Sequence, residues 1–569
     1  MPVKPLYQKS PLAVLDAFPL GPGQVKSQWD LFPTLYRTYS NLPTHPELWE
    51  GMFRVACMFV DNPEEEASAK ITRDFMSRQQ ADGSLGDDLL KAMYACRAAL
   101  AIYEYDNDRT LLKGVTLWCG WVSTHWDAVS ACAPIRIRPA DLMDLFEKIY
   151  RMTGKAGLLA LCDRLRRESL NWGRILRTFS IKRPMNKIAS WLETRAGMDR
   201  EGDQLDGIYT RQYHTAHAET LADGMRSAYL NSLYSGSQDD TMGSREGWEK
   251  IQSYHGAASG GTTADETVEG DDPSVAMDAA SIGAWAEAFV VQLMHRENAW
   301  AGQALDQLVS NALTACFIDG TMVPYQRVNS LETLCLVKDC YKTHTPSEQK
   351  VRALNRLLRA WASVFSSAVM TTEDGIMVNL YLQATYTFLM DGKPCRLEIA
   401  RTGEHGYELK LACREQLEGE IALRVPFNSG LTVKAHGQTY TSPDEDNLIS
   451  VEGPWQNGDI IEIEVRPQLK VNEGFHQGMI VYWGNQLMVV PVEDKADWAV
   501  AALGNPEVVD GKIILHAAAI NDWKSVSSIP ELMPVLPVIQ EDAALKDVEM
   551  APYATTGARL GIVPKGQPA

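Results

Sequence analysis

At 569 residues, with 45% apolar and 22% charged side chains, the chain is too long for one ordinary core and has the composition of a globular protein of two or three domains. Its formal net charge of −19 is spread along the chain and argues against nucleic acid and anionic membrane as partners, which leaves neutral or cationic ligands. The ten cysteines include no CxxC pair, and most lie in apolar periodic segments such as KAMYACRAAL, the pattern of reduced, buried thiols. The first 25 residues lack the basic start and apolar run of a signal peptide, and no apolar run reaches membrane-spanning length, so a cytoplasmic location is expected.

In chain order, residues 1–25 carry Pro2, Pro5, Pro11, Pro19 and Pro22 and are expected to form an extended N-terminal arm that adds an edge strand elsewhere. Residues 26–372 give one amphipathic segment after another, among them 49–60, 64–79, 88–105, 109–127, 139–153, 156–175, 217–234, 273–295, 301–316 and 350–369. Tryptophans and small residues fall on their inner faces. That pattern predicts an (α/α) toroid, with helical hairpins around a central cavity. After Thr372 the period changes to two. MVNLYLQATYTFLM, CRLEIART and YELKLAC, separated by turn residues at Asp391-Gly392 and Gly403–Gly406, read as antiparallel strands; EIALRVPF, LTVKAHG, NLISVEG, DIIEIEVRP, MIVYWGN and LMVVPVE continue the series. Residues 373–569 are therefore expected to form a β-sandwich region, with a proline-bearing tail beyond Ile529 that wraps the surface before a last strand at 559–563.

The densest chemistry lies in HGAASGGTTADETVEGDDPSVAMD, from His255 to Asp278. Its four glycines and runs of small residues make it a loop. Asp272 and Pro273 read as N-cap and first residue of the next helix. On that helix Asp278 would share a face with Ile282, Trp285, Phe289 and Leu293, and a carboxylate there needs a partner or a chemical task. A salt bridge to an arginine of a neighbouring helix would satisfy it without function. Glu269, Asp271 and Asp272 read as solvated or helix N-terminal charges. His217 opens another helix on the face of Leu221, Met225 and Ala228, where a structural hydrogen bond would also account for it. As a set, His217, His255, Asp265, Glu266 and Asp278 supply what cleavage of a glycosidic bond needs: a proton donor and a second group at an oxocarbenium-like carbon. Trp49, Trp118, Trp121, Trp126 and Trp285 offer flat faces for sugar rings, although aromatic residues of helical domains more often form core.

These segments resemble the glycoside hydrolase family 127 superfamily, the β-L-arabinofuranosidase-like proteins. HAETLADGMRSAYLNSLYSG resembles the helix carrying a substrate-contacting histidine, which implies that role for His217. HGAASGGTTADE resembles a segment that opens with a second sugar-contacting histidine and closes in Gly-Asp-Glu, which implies His255 as a contact and Glu266 as general acid/base. DDPSVAMDAAS resembles a helix start whose glutamate is replaced here by Asp278, while EDGIMVNLYLQA and EIALRVPF resemble the family's β-domain strands. The resemblance implies an (α/α)6 toroid followed by antiparallel β-sandwich domains. In that family a glutamate and three cysteines hold a zinc ion, and one of those cysteines is the nucleophile. Here the position two after Asp278 is Ala280, and the cysteine pair expected before the helix of Asn355 is replaced by TPSEQKVRALN, with Cys335 and Cys340 at the wrong spacing. No metal or cofactor is therefore expected, and the carboxylates carry the chemistry.

The leading expectation is a glycoside hydrolase acting from the end of a chain on a terminal furanoside or modified sugar, with Glu266 and Asp278 catalytic and His217, His255 and Asp265 binding substrate. A carbohydrate is the expected partner, and self-association is left open. One alternative is a non-catalytic carbohydrate-binding relative. Another is a polysaccharide lyase using Tyr213, Tyr254 or His255 as base.

Overall fold

The computed structural model describes residues 13–14, 17–19, 25–27, 44–59, 63–182, 214–264, 266–294, 298–318, 321–332, 346–372, 374–390, 392–493, 499–520 and 537–568. Among these, the first half is helical: α1 Trp49–Ala56, α2 Pro63–Met76, α3 Leu89–Asp106, α4 Arg109–Thr124, α5 Trp126–Ala131, α6 Ala133–Ile137, α7 Ala140–Thr153, α8 Gly157–Glu168, α9 Trp172–Arg177, α10 Ala218–Ser235, α11 Gln238–His255, α12 Ala279–Gln292, α13 Ala299–Leu308 and α14 Pro346–Ala368. Local chemistry sets several of the ends. Asp88 caps α3 by accepting from the Lys91 amide at 3.0 Å, and Asn107 closes it in the left-handed region. Gly154 ends α7 in the same way.

The helices form the toroid that their periodicity predicts, with α12 packed between α10 and α14. Gly283 makes that packing possible, because a Cβ there would stand 2.8 Å from the carbonyl oxygen of Arg356 on α14. Of the five tryptophans that the sequence offers as sugar platforms, Trp49, Trp118, Trp126 and Trp285 are buried core, and the partly buried Trp121 stacks on His125 at 4.6 Å. Aromatic area is worth more between packed helices than against water.

The continuous run of strands starts directly after α14, at Val369–Thr371. One sheet runs in the order 13–14, 384–390, 393–401, 406–413, 460–467, 429–435, 438–440, with Ala13 at its edge opposite Tyr386. A second sheet runs 448–452, 420–424, 375–378, 369–371. The inward residues of both, such as Leu397, Ile399, Leu409, Ile376, Ile421 and Val451, are buried in one core, which gives the sandwich. The sandwich is not wholly antiparallel, since Gly375–Val378 pairs in parallel with Glu420–Arg424. Further sheets follow. One joins 469–473, 479–483, 486–491 and 559–560 to Asn329–Ser330 of the helical half. The tail holds more than a last strand, for Val538–Ile539, Leu545–Glu549 and Ala551–Pro552 all pair; two of them are too short to show a period of two, and the third, LKDVE, does not alternate.

Candidate functional site

The segment between α11 and α12 is a folded loop, held by its own backbone. Gly260 and Gly261 take φ of +89° and +76°, which L side chains rarely adopt, and let the chain reverse so that Ala257 donates to Gly261. The loop then runs as a ladder. Val268 donates to Ala216 at 2.9 Å, Ala218 donates to the carbonyl of Glu266 at 2.9 Å, and Asp278 donates to Ala264 at 2.9 Å. Met277–Asp278 pairs onward with Tyr325–Gln326. Three stretches distant in sequence are thereby set side by side, and His217, Glu266 and Asp278 come with them.

The start of α12 differs from expectation. Asp272 does not cap it; its carboxylate accepts from the amide and hydroxyl of Ser274 at 2.9 and 2.7 Å in a local turn. Strand pairing keeps residues 277–278 extended, so the helix opens at Ala279 with Asp278 as its N-cap, accepting from the Ala280 amide at 3.1 Å. Asp278 is thus not a carboxylate more than a turn inside a helix. Its second oxygen takes the guanidinium of Arg352 on α14, the interhelical ion pair that needs no catalytic role.

Arg352 belongs to a system that the sequence reading missed. Glu219, Asp223 and Arg226 stand at i, i+4 and i+7 on α10, and Arg352, Arg356 and Arg359 stand at the same spacing on α14. The two stripes interlock. Arg352 Nε donates to Glu219 at 2.6 Å, Arg356 bridges Glu219 at 2.8 Å and Glu287 at 2.9 Å and also meets Asp223, and Arg359 clasps Asp141 and Glu287. Arg226 and Arg97 extend the network through Asp141 to Glu50, and Arg138 reaches Glu219 from outside at 3.0 Å. Two matched stripes of charged residues at helical spacing, one opening with Glu219 and Asp223 and one all arginine, were the available signal.

The electrostatics of the cluster follow from this sharing. Burial alone would raise the Glu219 carboxyl, but Arg352, Arg138 and Arg356 together hold it well below the usual carboxylate range. Asp278 keeps only a share of Arg352. Burial, helped by the negative charges of Glu219 and Glu266, pushes it up to about 6 against the pull of Arg352 and the Ala280 amide. His217, the N-cap residue of α10, is 7% exposed, and burial together with Arg352 and Arg138 holds its imidazole neutral. His214 beside it is pushed down to about 4 by burial and Arg138. Glu266 is 4% exposed and contributes to the fields at Asp278 and Arg352.

His255 stands apart from this group. The Gly270 amide donates to its Nδ1 at 2.9 Å, which makes Nε2 the protonated nitrogen, and Nε2 donates to the carbonyl of Ile181 at 2.9 Å. Both nitrogens tie backbone, so neither is left to contact a sugar or serve a lyase as base. Asp265 and Tyr213 lie outside the described residues, as do Cys335 and Cys340.

A zinc ion does not fit the described residues. The place between Glu219 and Asp278 is filled by the guanidinium of Arg352. Cys316, which the charge of Asp278 reaches, is fully buried, its thiol is pushed up by that burial and by Asp278, and it is engaged at 3.3 Å by both the Ala312 carbonyl and Gln326 Nε2. Among the described residues no group of three or more His, Cys, Asp or Glu side chains is arranged to hold a metal. The same residues include no helix long and apolar enough to cross a membrane.

No family model matches this sequence, and no curated protein matches it. Solved structures match its fold. A glycoside hydrolase family 127 β-L-arabinofuranosidase from Geobacillus stearothermophilus T6 superposes with a TM-score of 0.64 at 15% identity, over 92% of this chain and 90% of that one. A protein described as a glycoside hydrolase gives 0.66 at 14% identity over 100% of both chains. A second family 127 β-arabinofuranosidase gives 0.64 at 13% identity over 99% of this chain and 98% of that one. The chain therefore has the fold of the family 127 glycoside hydrolases.

Proposed function

We propose that on this fold the chain is a glycoside hydrolase that removes a terminal sugar, a furanoside or a modified sugar, by carboxyl chemistry. The observation that carries the reading is the ladder that sets Glu266 and Asp278 beside His217, in one cluster with Arg352. Such a pair supplies the donor and the second carboxyl that glycosidic cleavage requires.

The roles differ from those that the resemblance implies. Asp278 keeps its proton up to about pH 6, so it is the group poised to protonate the leaving oxygen. The carboxylate left behind then forms beside Arg352, which stabilises it without having to move. Glu266 is the second carboxyl, next to the sugar carbon that becomes oxocarbenium-like. Neutral His217 orients a sugar hydroxyl. A carbohydrate is the substrate, and the buried thiols fit action inside the cell. Assay of the purified chain on nitrophenyl furanosides and plant or algal oligosaccharides tests the reading: release of a monosaccharide supports it, and no release from any of them removes it.

A further inference from the structure

Where the helical half meets the strands there is an open cavity of about 340 Å³, lined by none of His217, Glu219, Glu266, Asp278 or Arg352. Trp361, which lines it, lies nine residues beyond Arg352 on α14, about 14 Å along the helix axis. Its volume falls in the range of small-ligand sites, roughly 300–1,000 Å³.

The walls are built in place. The chain after α13 continues as a π-helical turn, Val309–Leu313, an uncommon form that often accompanies function. Asp306, one turn earlier, is buried, and its carboxylate accepts from the Phe427 amide at 2.7 Å and Asn485 Nδ2 at 2.9 Å. One side chain thus pins the helical half to the sandwich and to the sheet behind it. Tyr381 and Tyr407 line the cavity with ring centroids 5.3 Å apart, and the Tyr381 hydroxyl is anchored at 2.8 Å to the Arg424 carbonyl. Trp483, half-buried at the end of the strand Met479–Trp483, and Trp361 bring the aromatic side chains of the wall to four.

The charges restrict the ligand. Three carboxyl side chains, Asp306, Glu398 and Glu404, line the cavity against one guanidinium and one imidazole. The guanidinium, Arg401, is taken up by its own turn, donating to the carbonyls of Gly403 and Glu404. Asp306 is used by the wall, which leaves Glu398 and Glu404 as exposed acceptors. Aromatic faces beside carboxylate acceptors suit a ring with apolar C–H faces and hydroxyl donors, and they disfavour an anion. We infer that this cavity binds a neutral mono- or disaccharide at a site separate from the acid cluster.

The inference does not need the hydrolase to be active. Titration calorimetry of the full chain with a panel of neutral pentoses, hexoses and their disaccharides, and with D-glucuronate as the anionic probe, tests it. At least one neutral sugar is expected to bind, D-glucuronate to bind at least tenfold more weakly, and Trp483→Ala or Glu398→Gln to lose at least tenfold in affinity for the neutral sugar. Glu398 is exposed, so its variant keeps the fold. Binding of no neutral sugar, binding of D-glucuronate equally well, or wild-type affinity in both variants would overturn the inference.

Discussion

Arg352 on α14 donates to Asp278 at the mouth of α12, joining residues 74 apart in sequence. The same guanidinium holds Glu219 through Nε, so one cation serves two buried carboxyls and neutralises neither completely. That shortfall leaves Asp278 with a proton at mildly acidic pH and gives the cluster its chemical character.

Replacing Arg352 with Met leaves both carboxyls buried beside fewer cations. A broken buried pair costs about 3–5 kcal/mol, and Arg352→Lys should recover only part of that, since an ammonium cannot span both partners in the same geometry. Denaturant unfolding of the two variants against wild type measures it.

The pH dependence follows from the two shifts. A donor at Asp278 is protonated below about 6, so turnover should fall as pH rises through that value, and Asp278→Asn should abolish activity at all pH values. For stability the signs oppose. Asp278, raised in the fold, contributes stability that is complete below about 3.9 and is lost as pH rises through about 6; Glu219, lowered in the fold, contributes stability present above about 4.3 and lost on acidification through its folded value. The stability gap between wild type and Glu219→Gln should therefore narrow below pH 4, as unfolding at a series of pH values would show.

His255 acts through structure. His255→Ala leaves the buried Gly270 amide without a partner, at about 1–3 kcal/mol, and frees the half-buried Ile181 carbonyl at a smaller cost. The loss should appear in unfolding and in faster hydrogen exchange over residues 256–270, and activity should fall only as far as the loop loosens.

With Arg352 in place of a metal, prolonged dialysis against a chelator should leave turnover and melting temperature unchanged, and added zinc should raise neither. Loss of activity that zinc restores would contradict the fit of the residues.

Much of this is legible in the chain because the informative contacts are local or periodic. The toroid shows in the 3.6-residue period up to Ala368, and the sandwich in the alternation of Cys395, Leu397 and Ile399 on one strand. What escapes is non-local. The pairing of Met277–Asp278 with Tyr325–Gln326 moves the start of α12 by several residues, and no feature of the segment itself announces it. His255 reads as a ligand contact because its real partners are backbone atoms 15 and 74 residues away. Arg352, Arg356 and Arg359 show a stripe, but arginines at helical spacing read as solvated until Glu219 and Asp223 are set opposite them.

Hydrolysis of an aryl furanoside panel by wild type and Glu266→Gln, with folding of both checked by melting temperature, tests the central claim most directly. Wild type should release a monosaccharide and the variant should be slower by about 10²–10⁴-fold at unchanged stability, the range that a positioned acid or base supplies. Undiminished turnover in Glu266→Gln would contradict a carboxyl mechanism at this cluster.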